Sequence, residues 1–184
     1  MKKLSIFDYM TKEYESVLFI DSDILCVRCN IVNILKNIKK QDTLYVFTES
    51  TINEDHQNRF WTNSKYSSQD MKYFLENNIY VFNAGLFGFI PDTFMKTHFA
   101  NLRIIIDKHK GPFFYEQSFM NNYFNLNNKT DRSVLTRDNY VMHPTDSIFY
   151  EHKLVHFCGI HIPGVSKLAR MQRYCARFIP EFTL

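Results

Sequence analysis

The stretch VLFIDSDIL, residues 17–25, decides how the rest of the chain is read. Val17-Leu18-Phe19-Ile20 is apolar without a break, too short for a helix and rich in strand-forming side chains. A run with no polar face predicts a central strand of a parallel sheet, covered on both sides. It stops at Asp21-Ser22-Asp23, and Ile24-Leu25 continue it briefly. In open α/β sheets, ligands bind outside the carboxyl ends of strands, where loops form a crevice. Two carboxylates one residue apart on a kinked strand end can turn to one cation, and their repulsion is unfavourable without it. A lone D-x-D is common, however: at ordinary Asp frequency about one chain in two of this size carries one by chance. Its meaning depends on its surroundings.

Before this stretch, residues 4–14 (LSIFDYMTKEY) read as a short amphipathic helix with Leu4, Phe7, Tyr9 and Met10 on its apolar side. After it, residues 31–38 (IVNILKNI) read as a helix and Leu44 to Phe47 as another buried strand. From Thr48 to Ser68 the chain is polar and poorly periodic, with Trp61 as its one large anchor, and reads as a long functional loop. Met71 to Glu76 suggest a turn or two of helix, and Tyr80–Phe82 and Leu86–Ile90 two strands joined at Asn83-Ala84-Gly85. Pro91-Asp92 open a helix whose apolar face is Phe94, Met95, Phe99, Leu102, Ile105 and Ile106, closed by Gly111-Pro112. Residues 115–124 form a further helix, 140–142 and 154–157 are the last strands, and a basic, partly helical segment ends the chain. Alternating strands and helices define the α/β class, with no internal repeat and no interdomain linker.

With 184 residues, 45% hydrophobic and 22% charged, the chain is long enough to bury a core and is not of the disordered type. A formal charge of +3, spread along the sequence, argues against nucleic acid as a partner but permits an anionic ligand. Cys26 and Cys29 form a C-x-x-C without a second pair at zinc spacing, so Cys26, Cys29, Cys158 and Cys175 read as reduced thiols. Lys2 and Lys3 are followed by no long apolar run, and nothing reaches the length of a membrane span; a cytoplasmic location is expected.

Four small features could carry chemistry. Asp21 and Asp23 are candidate metal ligands, and His156, ending an apolar strand, would complete an Asp, Asp, His set suited to Mn²⁺ or Mg²⁺ in the presence of phosphate oxygens. Taken alone, His156 reads first as a satisfied core histidine; it is the pairing with two carboxylates that points to a metal. Downstream, His161, Lys167 and Arg170 would add cationic groups near a pyrophosphate, or form only a solvated basic tail. Asn83-Ala84-Gly85 offers an amide beside a glycine that allows a close or left-handed backbone, or is simply a bend. Glu116-Gln117 sets an acid and an amide side by side at a helix start, where the dipole also favours Glu116.

In this order the features resemble the GT-A glycosyltransferases, particularly the glycogenin and galactosyltransferase-like group, family 8. The resemblance rests on VLFIDSDIL, VFNAGLFGF, YEQSFMNNYF and LVHFCGI, and runs from about Leu4 to Lys167. It implies a GT-A (nucleotide-diphospho-sugar transferase) type mixed sheet flanked by helices, forming one domain over residues 1–184. Met1–Ile90 would be the metal and donor core, and Pro91–Leu184 the acceptor side with the metal-binding His segment. The implied activity is metal-dependent transfer of a sugar from a nucleotide-diphosphate sugar, a UDP-sugar favoured, to a glycan or protein acceptor. Asp21, Asp23 and His156 would hold the metal. Asp21, Asn83, Ala84, Gly85, Gly159 and Lys167 would contact donor or acceptor, and Glu116 and Gln117 would serve catalysis at the sugar face.

Three departures from the family pattern stand out. The last motif continues IHIPGVSKLARM where Lys-Pro-Trp is usual, so Lys167 is expected to reach the phosphates at a different spacing. Glu116 stands where Asp is commoner. Only 20 residues precede Asp21, where such enzymes place a nucleotide-binding segment of several dozen. That leads us to expect an N-terminally shortened sheet with an open edge, and with it a homo-oligomer or a complementing chain. It also supports an alternative, an inactive GT-A remnant acting as a binding or structural protein. A haloacid dehalogenase-type phosphatase also carries Asp-x-Asp after a strand, but expects Thr or Val where this chain has Leu25.

Overall fold

The computed structural model describes residues 3–10, 13–51, 68–108, 115–145, 147–158 and 165–179. A 3₁₀ turn at Lys3–Ser5 leads into α1 (Ile6–Tyr9), then β1 (Val17–Ile20), β2 (Ile24–Val27), α2 (Ile31–Asn37) and β3 (Leu44–Thr51). Next come α3 (Ser68–Glu76), β4 (Tyr80–Phe89), α4 (Thr93–Lys108) and α5 (Tyr115–Leu126). The chain goes on through β5 (Thr130–Asp131), β6 (Tyr140–Met142), β7 (Lys153–His156) and α6 (Lys167–Phe178).

The strands form two mixed sheets, one ordered β1-β4-β3-β5 and the other β2-β7-β6. In the first, β4 runs antiparallel to both β1 and β3, while β3 and β5 are parallel. In the second, β2 is antiparallel to β7, and β7 parallel to β6. The apolar run at residues 17–20 is therefore not a central parallel strand. It is an antiparallel edge strand, partly exposed at all four positions, and its apolar side chains meet β4 and the N-terminal turn. Phe19 stacks on Phe87 with ring centroids 4.8 Å apart.

Three more expectations are corrected. β3 does not stop at Phe47 but runs on to Thr51, because its partner β4 extends to Tyr80 and supplies ladder partners opposite. Trp61 and most of the expected loop lie outside the described residues. Asn83-Ala84-Gly85 does not separate two strands, since β4 is one strand of ten residues, but the ladder with β3 is interrupted there: residues 83–86 of β4 stand opposite Phe47 between the pairs Val46–Phe87 and Thr48–Phe82. The N-terminal helix is shorter than the pattern at 4–14 suggested, ending at Tyr9, and Met10 is already extended.

Local chemistry accounts for the helix starts. Asp92 accepts from the Met95 amide at 2.7 Å, Asn30 from Asn33 at 3.0 Å, and Ser166 from Ala169 at 3.1 Å, each satisfying an amide that the first turn leaves unpaired. Of the apolar face read for the helix after Pro91, Met95, Phe99, Leu102 and Ile106 are buried, packed with Phe82, Phe87, Phe89, Phe119, Met120 and Phe124, and Ile105 is partly buried against them, whereas Phe94, in the first turn, is exposed. A second cluster, including Ile24, Ile34, Leu86, Tyr140 and Leu154, joins the two sheets to α2. A third seats α6 on the smaller sheet through Tyr174, Phe157, Val155 and Val27.

β1 borders β4 only from Leu86 to Phe89, so the backbone of residues 80–84 needs other partners on that side. α5 supplies them from one face. Gln117 accepts from the Ala84 amide, Asn121 bonds both the amide and the carbonyl of Phe82 at 2.8 Å, and Asn125 donates to the Tyr80 carbonyl. Among the described residues no helix is long and apolar enough to cross a membrane.

Candidate functional site

The chain passes from the larger sheet to the smaller one at Asp21-Ser22-Asp23, between β1 and β2. Each aspartate is anchored to a different sheet. The Asp21 amide donates to the Gly85 carbonyl on β4 at 2.8 Å, and the Asp23 carbonyl accepts from the Phe157 amide just after β7 at 2.9 Å. The D-x-D thus lies at the seam, and His156, the last residue of β7, reaches it from the second sheet.

Ligand atoms of Asp21, Asp23 and His156 all lie within 4.8 Å of one another. His156 Nε2 is 3.1 Å from Asp23 Oδ1, and the ring is 3% exposed. Its other nitrogen, Nδ1, bonds the hydroxyl of the fully buried Tyr140. The hydrogen bond from His156 and the ammonium of Lys167, 2.7 Å away, hold the Asp23 carboxyl well below the usual carboxylate range despite burial. Lys3 bonds Asp21 Oδ2 at 2.8 Å and the Ala84 carbonyl at 3.0 Å.

Gly85 forms the wall beside this cluster. A Cβ there would meet Asn83 Oδ1 at 2.7 Å, His156 Cε1 at 2.8 Å and Asp21 Oδ2 at 2.9 Å. Of the two uses foreseen for this glycine, the close approach is the one realised. Asn83 accepts from the Gly85 amide and donates to Glu49 Oε1, each at 2.7 Å. Burial pushes the Glu116 carboxyl up against the nearby charge of Lys3, with Asp21 adding a smaller push in the same direction, and its Oε1 is buried with no hydrogen-bond partner.

Two hard oxygen ligands, one imidazole and a hollow that a methyl group would fill suit a divalent cation that also binds phosphate oxygens. The residues present fit such an ion.

Residues 2–163 match the sequence profile of glycosyl transferase family 8. The chain belongs to this family. Its chemistry is accordingly glycosyl transfer. The fold is similar to that of a crystal structure of the galactosyltransferase LgtC in complex with donor and acceptor sugar analogs. The TM-score is 0.57 at 15% identity, over 98% of this chain and 68% of the other. That likeness gives the GT-A fold. No curated protein matches the sequence significantly.

In this family 8 chain the predicted residues converge: Asp21, Asp23, Asn83, Ala84, Gly85, His156 and Lys167 are linked by the contacts above, with Gln117 bonded to Ala84 and Glu116 near enough for Asp21 to influence its charge. Gly159 and His161 lie outside the described residues. Arg170 is not part of a solvated tail; it is 3% exposed, donates to the Pro144 carbonyl at 3.3 Å and lies over the Phe157 ring. Three contributors escaped the sequence reading. Lys3 looked like N-terminal charge, Glu49 fell in a segment read as loop, and Tyr140 was only a strand residue. Extending the strand pattern past Phe47 would have brought Glu49 to notice; nothing local distinguishes the other two.

Proposed function

We propose that this glycosyltransferase moves a sugar from a nucleotide-diphosphate sugar, a UDP-sugar favoured, to a hydroxyl of a glycan or protein acceptor. Asp21, Asp23 and His156 would hold Mn²⁺ or Mg²⁺. The observation that carries this reading is the convergence of these three ligand atoms within 4.8 Å beside a glycine hollow. When bound, the cation would offset the negative charge that develops on the departing diphosphate.

The chain's own residues would do the rest. Lys167, an ammonium already at the rim of the site, would add an anion contact for the diphosphate. Asn83, Ala84 and Gly85 would border donor and acceptor. Gln117 has its carbonyl engaged with Ala84, so its NH₂ is the end left to meet a sugar hydroxyl. Glu116, poorly solvated at the sugar face, would stabilise positive charge at the anomeric carbon as its bond to the diphosphate oxygen breaks and the bond to the acceptor oxygen forms. Residues 1–184 would act as one unit, Met1–Ile90 forming the donor core and Pro91–Leu184 the acceptor side that lends His156.

Calorimetric titration of UDP, then GDP, with and without Mn²⁺ tests the proposal. Binding should require the metal and should vanish in Asp23→Ala, which should remain folded. Equal affinity in wild type and variant would remove Asp23 from the site. No binding by folded wild-type protein at millimolar nucleotide would favour the inactive remnant instead.

A further inference from the structure

We propose that Tyr140 is a positioning residue for the cation site: its hydroxyl, bonded to His156 Nδ1, would accept the Nδ1–H when a cation replaces the proton that Nε2 directs at Asp23. The inference rests on the metal reading above and adds to it the residue that sets the ligand's tautomer.

An imidazole can ligate through Nε2 only when its proton sits on Nδ1, and the partner of Nδ1 decides where that proton stays. Here the partner is Tyr140 Oη. His156 is 3% exposed and Tyr140 is fully buried, so water is poorly placed to substitute. The phenol is held from both sides. Its ring meets Phe47 edge-on at 4.5 Å, and β6 keeps register with β7, Tyr140 beside Leu154 and Met142 beside His156. The Tyr140 amide is also fixed, donating to Thr136 at 3.0 Å.

A metal-bound histidine more often donates to a carboxylate or a carbonyl. A carboxylate at this point would add a third negative charge beside Asp21 and Asp23, repelling both in the metal-free protein. A buried phenol avoids that. It can accept from Nδ1–H without adding charge.

The test is made on the intact chain with metal alone. Mn²⁺ is titrated into wild type and Tyr140→Phe, with free ion read by electron paramagnetic resonance. The ring proton of His156 is located by ¹⁵N NMR at saturating Mg²⁺. We expect Nδ1–H in the wild type, and Mn²⁺ affinity about 10- to 100-fold weaker in the variant. Equal affinity, or an Nε2–H ring at saturating Mg²⁺, would overturn the proposal. Should Tyr140→Phe fail to fold, the wild-type ring measurement alone decides. Failure of the wild type to bind any metal is a different result: it removes the cation site itself.

Discussion

Gly85 does not occupy the left-handed region; what it supplies is an absence. The hollow it leaves is bounded by Asn83, His156 and Asp21, none of which can retreat easily, since each is held by hydrogen bonds. Gly85→Ala should cost about 1–3 kcal/mol through overpacking and should also abolish metal-dependent nucleotide binding. Gly88 makes an informative control. A Cβ there would first meet Ile38 Cδ1, the far end of a flexible side chain. Thermal melts and UDP titrations of both variants check this; equal effects on nucleotide binding would mean that the hollow is not the ligand's.

At the scale of elements, the contact between α5 and β4 is the least expected. Helices usually cover sheets with apolar faces, yet here Gln117, Asn121 and Asn125 act as a substitute strand for the edge that β1 leaves bare. Asn121 carries the largest share because it satisfies both polar groups of Phe82. Replacing it by Leu would strand two buried backbone groups, each worth about 1–3 kcal/mol, so urea unfolding should register a loss of about 2–6 kcal/mol. A loss below ~1 kcal/mol would mean that water or a neighbour takes over these bonds. The same helix carries Glu116 and Gln117, so its seating on β4 also sets their position at the site.

Across the whole molecule, a second polar cluster lies apart from the site and ties distant segments together. Asp42, between α2 and β3, bonds His98 of α4 at 2.7 Å and Lys129 beyond α5, while His98 also bonds Tyr123 of α5 at 3.0 Å. The Lys129 hydrogen bond, helped by His98, holds the Asp42 carboxyl below its ordinary value. A depressed folded pKa stabilises the native state above the unfolded value, about 3.9, and that contribution disappears as pH falls through the folded one. Asp42→Asn should therefore lower stability at neutral pH and flatten its decline below about pH 4, as read by urea unfolding across that range. An acid limb as steep as in the wild type would show that Asp42 does not contribute. The sequence by itself determined the α/β class, most of the apolar face of α4 and the set of Asp21, Asp23 and His156 that the fold brings together, because periodicity, caps and motif order are local or linear properties. It also placed Asp21 and Asp23 at a strand end. The tertiary structure alone decided that this strand lies antiparallel at an edge, that the D-x-D bridges two sheets, and that Lys3, Glu49 and Tyr140 join it. Strand direction and partner are set by which edges meet in the fold, and an apolar run reads the same whether its neighbours are strands on both sides or a strand and an N-terminal turn.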